Sequence, residues 1–490
     1  LKSLKNILLT VGYIIFFILM INILAGSIIK KKIINNTPNF ITSVDKIKVN
    51  ILSGKITVKN LQLTHKQNLF NLTAPKIELN KSFLQLLSAN LDTLKKISLT
   101  HAYLHINKTN GKENNRSLNN KHNTLFIEHL KLKNCSLIIT NKEDTILNLK
   151  EININATKAK ITPKSKNFTY PFNASKYDIS INSVFYNYNK YESLSIKNCY
   201  LNNQNISLHN LKIVPKYSKK ELQNHLKKER DWISLNCNKL NISNLNIKKN
   251  KNTLINCKKI TMDSVNLHVY KDKSLPDQNK LKNLYSKSLR ELNENVNIDS
   301  IFIKKSNITY EEKLNKSEIP GVITFSDINA DISNLNNYKP GNSTEINLSS
   351  KFLEYADFKF KWNFEILNKN DEFSISGSIK NLNTQSTNRF INPNMNISAT
   401  GYINELYYTF YGNNYNAYGN MSMTYRDLSL KFKNDEKENK KLVSLLANIF
   451  IKNNEDNLKE VKIEVERNQK KSFFNYYWLC LKAGLMDNIL

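Results

Sequence analysis

The chain has 490 residues, 40% of them hydrophobic, with 72 Lys and Arg against 41 Asp and Glu. That length allows two or three cores and excludes wholesale disorder, while 11 Gly and 9 Pro exclude a collagen-like or low-complexity chain. The net charge of +31 would suit nucleic acid or an anionic membrane, but only six basic residues are arginines (Arg116, Arg230, Arg290, Arg389, Arg426 and Arg467) and the lysines are spread along the chain; the charge therefore reads as solvated faces, and no nucleic-acid partner is expected.

The first predicted element is a helix. Ile7 to Ile29 is a run of 23 residues without a charge, flanked by Lys2 and Lys5 before it and by Lys30, Lys31 and Lys32 after it. Such a run is long enough to cross a bilayer, so residues 1–32 are expected to be a single-pass membrane anchor. The rival is a cleaved signal peptide, for which Ala25, Gly26 and Ser27 supply small residues; the apolar run exceeds the usual length of such a segment. Lysines on both flanks leave the orientation open.

Beyond the anchor the chain alternates apolar and polar residues, the period of a half-buried strand. One spacing recurs: apolar, any, apolar, two polar, apolar, any, apolar. It appears at Ile56-Val58-Leu61-Leu63, Ile97-Leu99-Ala102-Leu104, Leu125-Ile127-Leu130-Leu132, Leu147-Leu149-Ile152-Ile154, Leu194-Ile196-Cys199-Leu201 and Ile206-Leu208-Leu211-Ile213. Further copies lie at Leu240-Ile242-Leu245-Ile247, Ile260-Met262-Val265-Leu267, Val296-Ile298-Ile301-Ile303, Ile323-Phe325-Ile328-Ala330 and Met423-Tyr425-Leu428-Leu430. In a flat strand the two-residue insert would turn the later side chains to the wrong face, so each insert must be a bulge or a tight corner. Repeated, this builds a curled sheet with one apolar concave face and one Lys/Asn-rich face; a closed β-sandwich using the same corners is the alternative.

Helices are expected at Phe83 to Leu94, Lys219 to Asp231, Pro276 to Leu292, around Leu442 to Phe450, and over the tail after Ser472, where Phe474, Trp478, Leu481 and Leu485 share a face. The tail helix can dock on the sheet as a lid or lie on a membrane, docking being favoured. Three segments follow the anchor: 33–165, 166–345, and 346–490 with its terminal amphipathic helices.

No phosphate loop, dinucleotide glycine pattern, HExxH or GxSxG element is present, and no catalytic residue, cofactor or metal is expected. Cys135, Cys199, Cys237, Cys257 and Cys480 form no CxxC pair and read as small core residues. His101 and His105 share one strand face but stand about 13 Å apart by strand rise, too far for one metal. Tyr310-Glu311-Glu312 reads as a solvated turn.

The anchor, followed by VDKIKVNILSGKITVKNLQLTH (Val44 to His65), PKIELN, FLQLL and LKKISLTHAYLHI (Leu94 to Ile106), resembles the amino-terminal block of the AsmA-like family, inner-membrane-anchored envelope proteins of Gram-negative bacteria. Later segments resemble the same family in order and spacing: Val265 to Asp277, Ile298 to Glu312, Gly321 to Asn337, Gly419 to Phe432 and Lys470 to Asp487. The resemblance implies a β-rich periplasmic body forming a groove with an apolar interior, related to bridge-like lipid-transfer proteins and linked to phospholipid traffic and outer-membrane biogenesis. It carries no catalytic residues. The chain is shorter than the best-known members, so a groove of its own is not expected to reach across the periplasm unaided.

The expected architecture is mainly β: an N-terminal transmembrane helix, an elongated, curled antiparallel β-sheet groove with few short helices, and a helical C-terminus. The expected partners are phospholipid acyl chains, the inner membrane through the N-terminal helix, and an envelope protein. The groove candidates are Ile56, Val58, Leu61, Leu63, Leu208, Leu211, Ile298, Ile301, Phe325 and Ile328. The competing reading is a non-catalytic envelope scaffold, or a regulator of outer-membrane assembly, with a closed β core.

Overall fold

The alternating pattern becomes strand nearly throughout. The computed structural model describes residues 2–35, 37–81, 93–108, 124–161, 172–249, 252–314, 318–432 and 454–489, with the side chains of residues 2–14, 172, 249 and 432 outside that set. The helices expected at Phe83 to Leu94 and around Leu442 to Phe450 lie outside the described residues, save for Thr93 and Leu94, which open a strand. The chain divides into two compact units, residues 1–203 and 204–490.

The first unit opens with α1 (Lys2–Asn35). Its strands are β1 (Phe40–Ser43), β2 (Lys46–Asn50), β3 (Lys55–His65), β4 (Phe70–Asn80), β5 (Thr93–Thr100), β6 (Tyr103–Asn107), β7 (Leu125–Asn141), β8 (Asp144–Ile161), β9 (Phe172–Asn173), β10 (Lys176–Ile181), β11 (Ser183–Tyr186) and β12 (Glu192–Asn202). Neighbours pair antiparallel, except that β5 and β6, two halves of one interrupted strand, both run parallel to β7. The helix α1 packs on β2: the Ile51 amide donates to Asn22 Oδ1 at 2.9 Å, and a Cβ on Gly26 would come within 2.6 Å of the Ile47 carbonyl. Among the described residues no helix is long and apolar enough to cross a membrane. The expected span starts at Ile7, and the side chains of its first part, residues 7–14, lie outside the described set.

The second unit contains β13 (Asn205–Pro215), α2 (Lys219–Asn224), β14 (Trp232–Ser243), β15 (Asn246–Lys249), β16 (Thr253–Asp272), α3 (Tyr285–Arg290), β17 (Asn295–Lys313) and β18 (Gly321–Asn336). It continues with β19 (Thr344–Phe352), β20 (Ala356–Phe364), β21 (Phe373–Asn383), α4 (Asn388–Met395), β22 (Ile397–Gly412), β23 (Asn416–Phe432), β24 (Glu455–Glu466) and α5 (Phe473–Ile489). From β17 to β24 successive strands pair antiparallel, while β16 and β17 run parallel. The expectation of a wholly antiparallel sheet is thereby corrected. A parallel pair needs a crossover connection of a dozen or more residues; residues 273–294, with α3, supply one, and residues 108–124 join β6 to β7.

Two helices are shorter than expected. A capping box starts α2, where the Glu221 amide donates to Ser218 Oγ at 3.2 Å and the Ser218 amide donates to Glu221 Oε2 at 2.9 Å. It ends at Asn224 with His225 as its C-cap, and β14 takes up the chain from Trp232. Similarly, only Tyr285–Arg290 of the Pro276 to Leu292 stretch is helical.

The cores differ between units. In the first, the buried clusters are small and built largely of small side chains: Ala74, Ala102 and Cys135 in one, Ala156 and Ala159 with Ile127 and Leu130 in the other. In the second, one large cluster joins β20–β24 to α5 through Trp362, Phe373, Phe410, Met421, Phe473 and Tyr476.

Candidate functional site

The corners implied by the spacing are real. In eight of the repeats the second insert residue has positive φ: Asn60, His101, Glu151, Asn210, Asn244, Ser264, Asp327 and Asp427. The left-handed residue reverses the side-chain parity that the insert would otherwise break. It costs about 1–2 kcal/mol in an ordinary residue and less in Asn or Asp, which is why those types recur.

Three repeats depart from this pattern. At Leu125–Leu132 and Val296–Ile303 the facing strand supplies the left-handed residue, Lys158 opposite Glu128 and Asn334 opposite Asp299. At Leu194–Leu201 the facing strand is interrupted between β10 and β11. One break per pair is enough.

The corners carry asparagine caps. At several corners a side-chain amide from the adjoining segment accepts the N–H of the left-handed residue, whereas at His101 the Lys133 carbonyl accepts it at 2.9 Å. Asn134 donates to Asn153 Oδ1 at 3.0 Å, Asn244 to Asn205 Oδ1 at 3.2 Å, and Asp427 to Asn454 Oδ1 at 2.7 Å. The abundance of Asn is thus partly structural, and the signal missed in the sequence is Asn two residues after the corner, as in Asn153, Asn205, Asn307 and Asn329.

With parity restored, the apolar residues align across strands. In the first unit one row runs Val58, Ile77, Leu99, Leu132, Ile154, Ile179, Leu201, from β3 to β12. Val58 is buried and the others are half-buried. Six steps of strand spacing make this row roughly 29 Å long. A flanking row passes through Leu63, Leu72, Leu104, Leu137, Leu149 and Val184. Of the candidates in this unit, Ile56 faces Leu79 and Leu61 faces Ala74, so all four members of the β3 quartet lie on the apolar face.

In the second unit Leu208 begins a row that continues through Leu240, Met262, Ile303, Ala330, Leu348 and Phe360. Ile301 lies in the next row, between Ile260 and Ile332. Leu211 faces Cys237, Ile298 lies between Cys257 and Leu335, and Ile328 is buried opposite Ser306. Phe325 packs on Phe352 and Phe358 at ring-centroid distances of 5.1 and 5.5 Å. The sequence reading missed Phe358, Phe360, Trp362 and Phe364, although their strict alternation along β20 was a visible signal.

These rows end beneath α5. Phe473 stacks on Trp362 with centroids 4.3 Å apart and planes at 6°, and the Tyr408 and Tyr477 hydroxyls share a hydrogen bond at 2.5 Å. A Cβ on Gly484 would meet Ile463 Cδ1 and Met421 Sδ at 2.8 Å, so only glycine lets the helix lie this close. Burial pushes the Cys480 thiol up to about 12 and raises the Tyr477 hydroxyl well above its ordinary value.

The other singled-out residues are structural. Cys135, Cys199, Cys237 and Cys257 occupy apolar-row positions as buried free thiols. His105 Nε2 lies 3.0 Å from Thr140 Oγ1, and His101 is an exposed corner. The solvated turn expected at Tyr310-Glu311-Glu312 is instead the half-buried end of β17. There Glu311 pairs with Lys219 at 2.5 Å and lies 3.0 Å from His268 Nε2, Glu312 pairs with Lys273 at 2.7 Å, and Tyr310 donates to Glu312 at 2.6 Å. Pairing two adjacent strands and α2 drew these carboxylates inward. Among the described residues no group of three His, Cys, Asp or Glu is placed to hold a metal ion.

No family model matches the chain, and no curated protein matches it.

Proposed function

We propose that this is a membrane-anchored periplasmic protein of the AsmA-like kind. It binds lipid along its apolar sheet face and supports phospholipid transport or homeostasis between inner and outer membranes. The observation that carries the reading is the row from Val58 to Leu201, apolar on every strand it crosses and partly exposed at all but its first position. A partly exposed apolar surface that long is costly in water, and each acyl methylene laid on it gains up to about 0.8 kcal/mol on full burial. The charged headgroup stays in water while the tail partitions.

The inner-membrane anchor rests on α1. Phe16, Ile23 and Ile28 are 67%, 69% and 65% exposed. Side chains of that kind suit a bilayer, and the lysines that follow suit its headgroups.

The scaffold reading has one observation in its favour: α5 closes the apolar face of β20–β24. One experiment separates the two. The full chain is purified in mild detergent, and native mass spectrometry with lipid extraction is applied to the wild type and to Val58→Trp and Leu63→Trp. Stoichiometric phospholipid, reduced in both variants, is the expected result. A folded, lipid-free protein overturns the carrier reading and leaves the scaffold.

A further inference from the structure

The face of β18–β24 opposite α5 is polar, and it is hollow. The hollow is shallow and open to solvent, with a volume of about 670 Å³, within the range of small-ligand sites. Its floor is made of polar side chains aligned across strands, short ones apart from one tyrosine: Ser378, Tyr407 and Ser422 in one row, Ser376, Thr409 and Asn420 in the next. Serine is a poor strand former, so its recurrence on neighbouring strands is not explained by the ladder.

The rims are built differently. On one side, one row beyond the lining residues Ser349, Lys359, Ser378 and Tyr407, stand the ion pairs Lys351–Asp357 at 2.7 Å and Lys380–Glu405 at 3.1 Å. Tyr407 is fixed there, its hydroxyl donating to Glu405 Oε2 at 2.8 Å while Lys380 Nζ sits 5.3 Å from its ring centroid. On the opposite side, beyond the lining residues and two positions along the strands from Thr409 and Asn420, Tyr411 and Tyr418 face each other across β22 and β23, stacked at 5.8 Å and 48% and 62% exposed. Gly377 joins the two surfaces: a Cβ there would collide with the Tyr408 hydroxyl, part of the support under α5.

We propose that this hollow binds a neutral oligosaccharide. Short hydroxyl and amide side chains both donate and accept, which matches sugar hydroxyls. Exposed tyrosine rings offer the apolar faces on which sugar rings stack. The lining charges balance, Lys359 and Lys361 against Asp331 and Glu460, and Lys361 is already paired with Glu345 at 2.7 Å. That balance disfavours phosphate or nucleic acid, which select for excess positive charge. An extended peptide would seek a free strand edge, whereas the backbone under this face is spent in ladder bonds. The proposal does not depend on lipid binding, which uses the other face.

The test is saturation-transfer NMR on the full chain in an amine-oxide detergent, chosen because maltoside headgroups would compete. The probes are chitotriose, cellotriose and maltotriose. Transfer to at least one is expected, little changed from about 50 to 500 mM salt. Ser378→Leu, which fills the floor, and Tyr418→Ala, which removes an exposed ring, should each weaken binding at least about tenfold. Tyr418→Ala keeps the test valid if the floor variant misfolds. The proposal is overturned if no probe receives saturation, if Tyr418→Ala binds as the wild type does, or if raised salt abolishes binding.

Discussion

Asn307 and Asn329 cap each other's corners across β17 and β18. The Lys305 amide donates to Asn329 Oδ1 and the Asp327 amide to Asn307 Oδ1, both at 3.3 Å. Lys305 and Asp327 are the left-handed residues of the two strands, and each cap sits two residues after its own strand's corner. Asn329 also donates to the Asp327 carbonyl at 3.0 Å. A bend in one strand is thus held by the strand beside it, which is what allows bends to line up across the sheet.

Removing one cap leaves an amide to water at an exposed corner. Asn329→Ala and Asn307→Ala should each cost about 0.5–1.5 kcal/mol, read from thermal unfolding. Asp327→Gly should be neutral or mildly stabilising, because glycine adopts positive φ without strain, whereas Asp327→Val should cost more than either cap variant. Equal effects of glycine and valine would contradict the assignment of strain to this residue.

Much of this was legible from spacing. An offset of three between apolar residues, as from Val58 to Leu61, is incompatible with a flat strand, so a corner followed from parity alone. What spacing could not supply was the partner strand. The break at Glu128 is made by Lys158, and the parallel pairing of β16 with β17 depends on a crossover whose path is set by long-range contacts. The aromatic run on β20 lacks an insert and so escaped a search for inserts. The docking of α5 depends on Gly484, whose role appears only once Met421 and Ile463 stand opposite it.

A charge on the apolar track should stop lipid uptake without unfolding the protein, since the track is partly exposed and the new ammonium can snorkel to water. Ile154→Lys sits mid-track, and Asn155→Lys on the exposed reverse face adds the same charge as a control. Displacement of a fluorescent fatty acid should fall at least about tenfold in the first and stay within about twofold in the second. Equal binding in both would place the ligand elsewhere.

Seating of α5 should fail when Gly484 gains a side chain. Gly484→Leu must displace Met421 or Ile463, at a cost of about 1–3 kcal/mol or more by overpacking. Trp362, now covered by Phe473, would become exposed. Its fluorescence should shift to the red, and limited proteolysis should cut near residue 470 sooner than in the wild type. Unchanged emission and cleavage would mean that the helix is not held through this contact.

Stability should decline at alkaline pH. Burial pushes the Cys480 thiol up to about 12, against about 8.5 for an unhindered thiol. Below the unfolded value both states are protonated and the stabilisation is complete. Between the two values the unfolded chain sheds a proton that the native state keeps, so stability falls as pH rises toward the folded value. Burial also raises Cys199, Cys237 and Cys257, and Tyr270 is pushed up to about 12 by burial and then by Asp272. The thermal midpoint should therefore drop steadily from about pH 8.5 upward. Cys480→Ala should lower the midpoint at neutral pH through the lost packing but make its decline shallower. An unchanged slope in that variant would show that the thiol ionises as readily in the folded protein as in the unfolded chain, which its burial between α5 and the sheet does not allow.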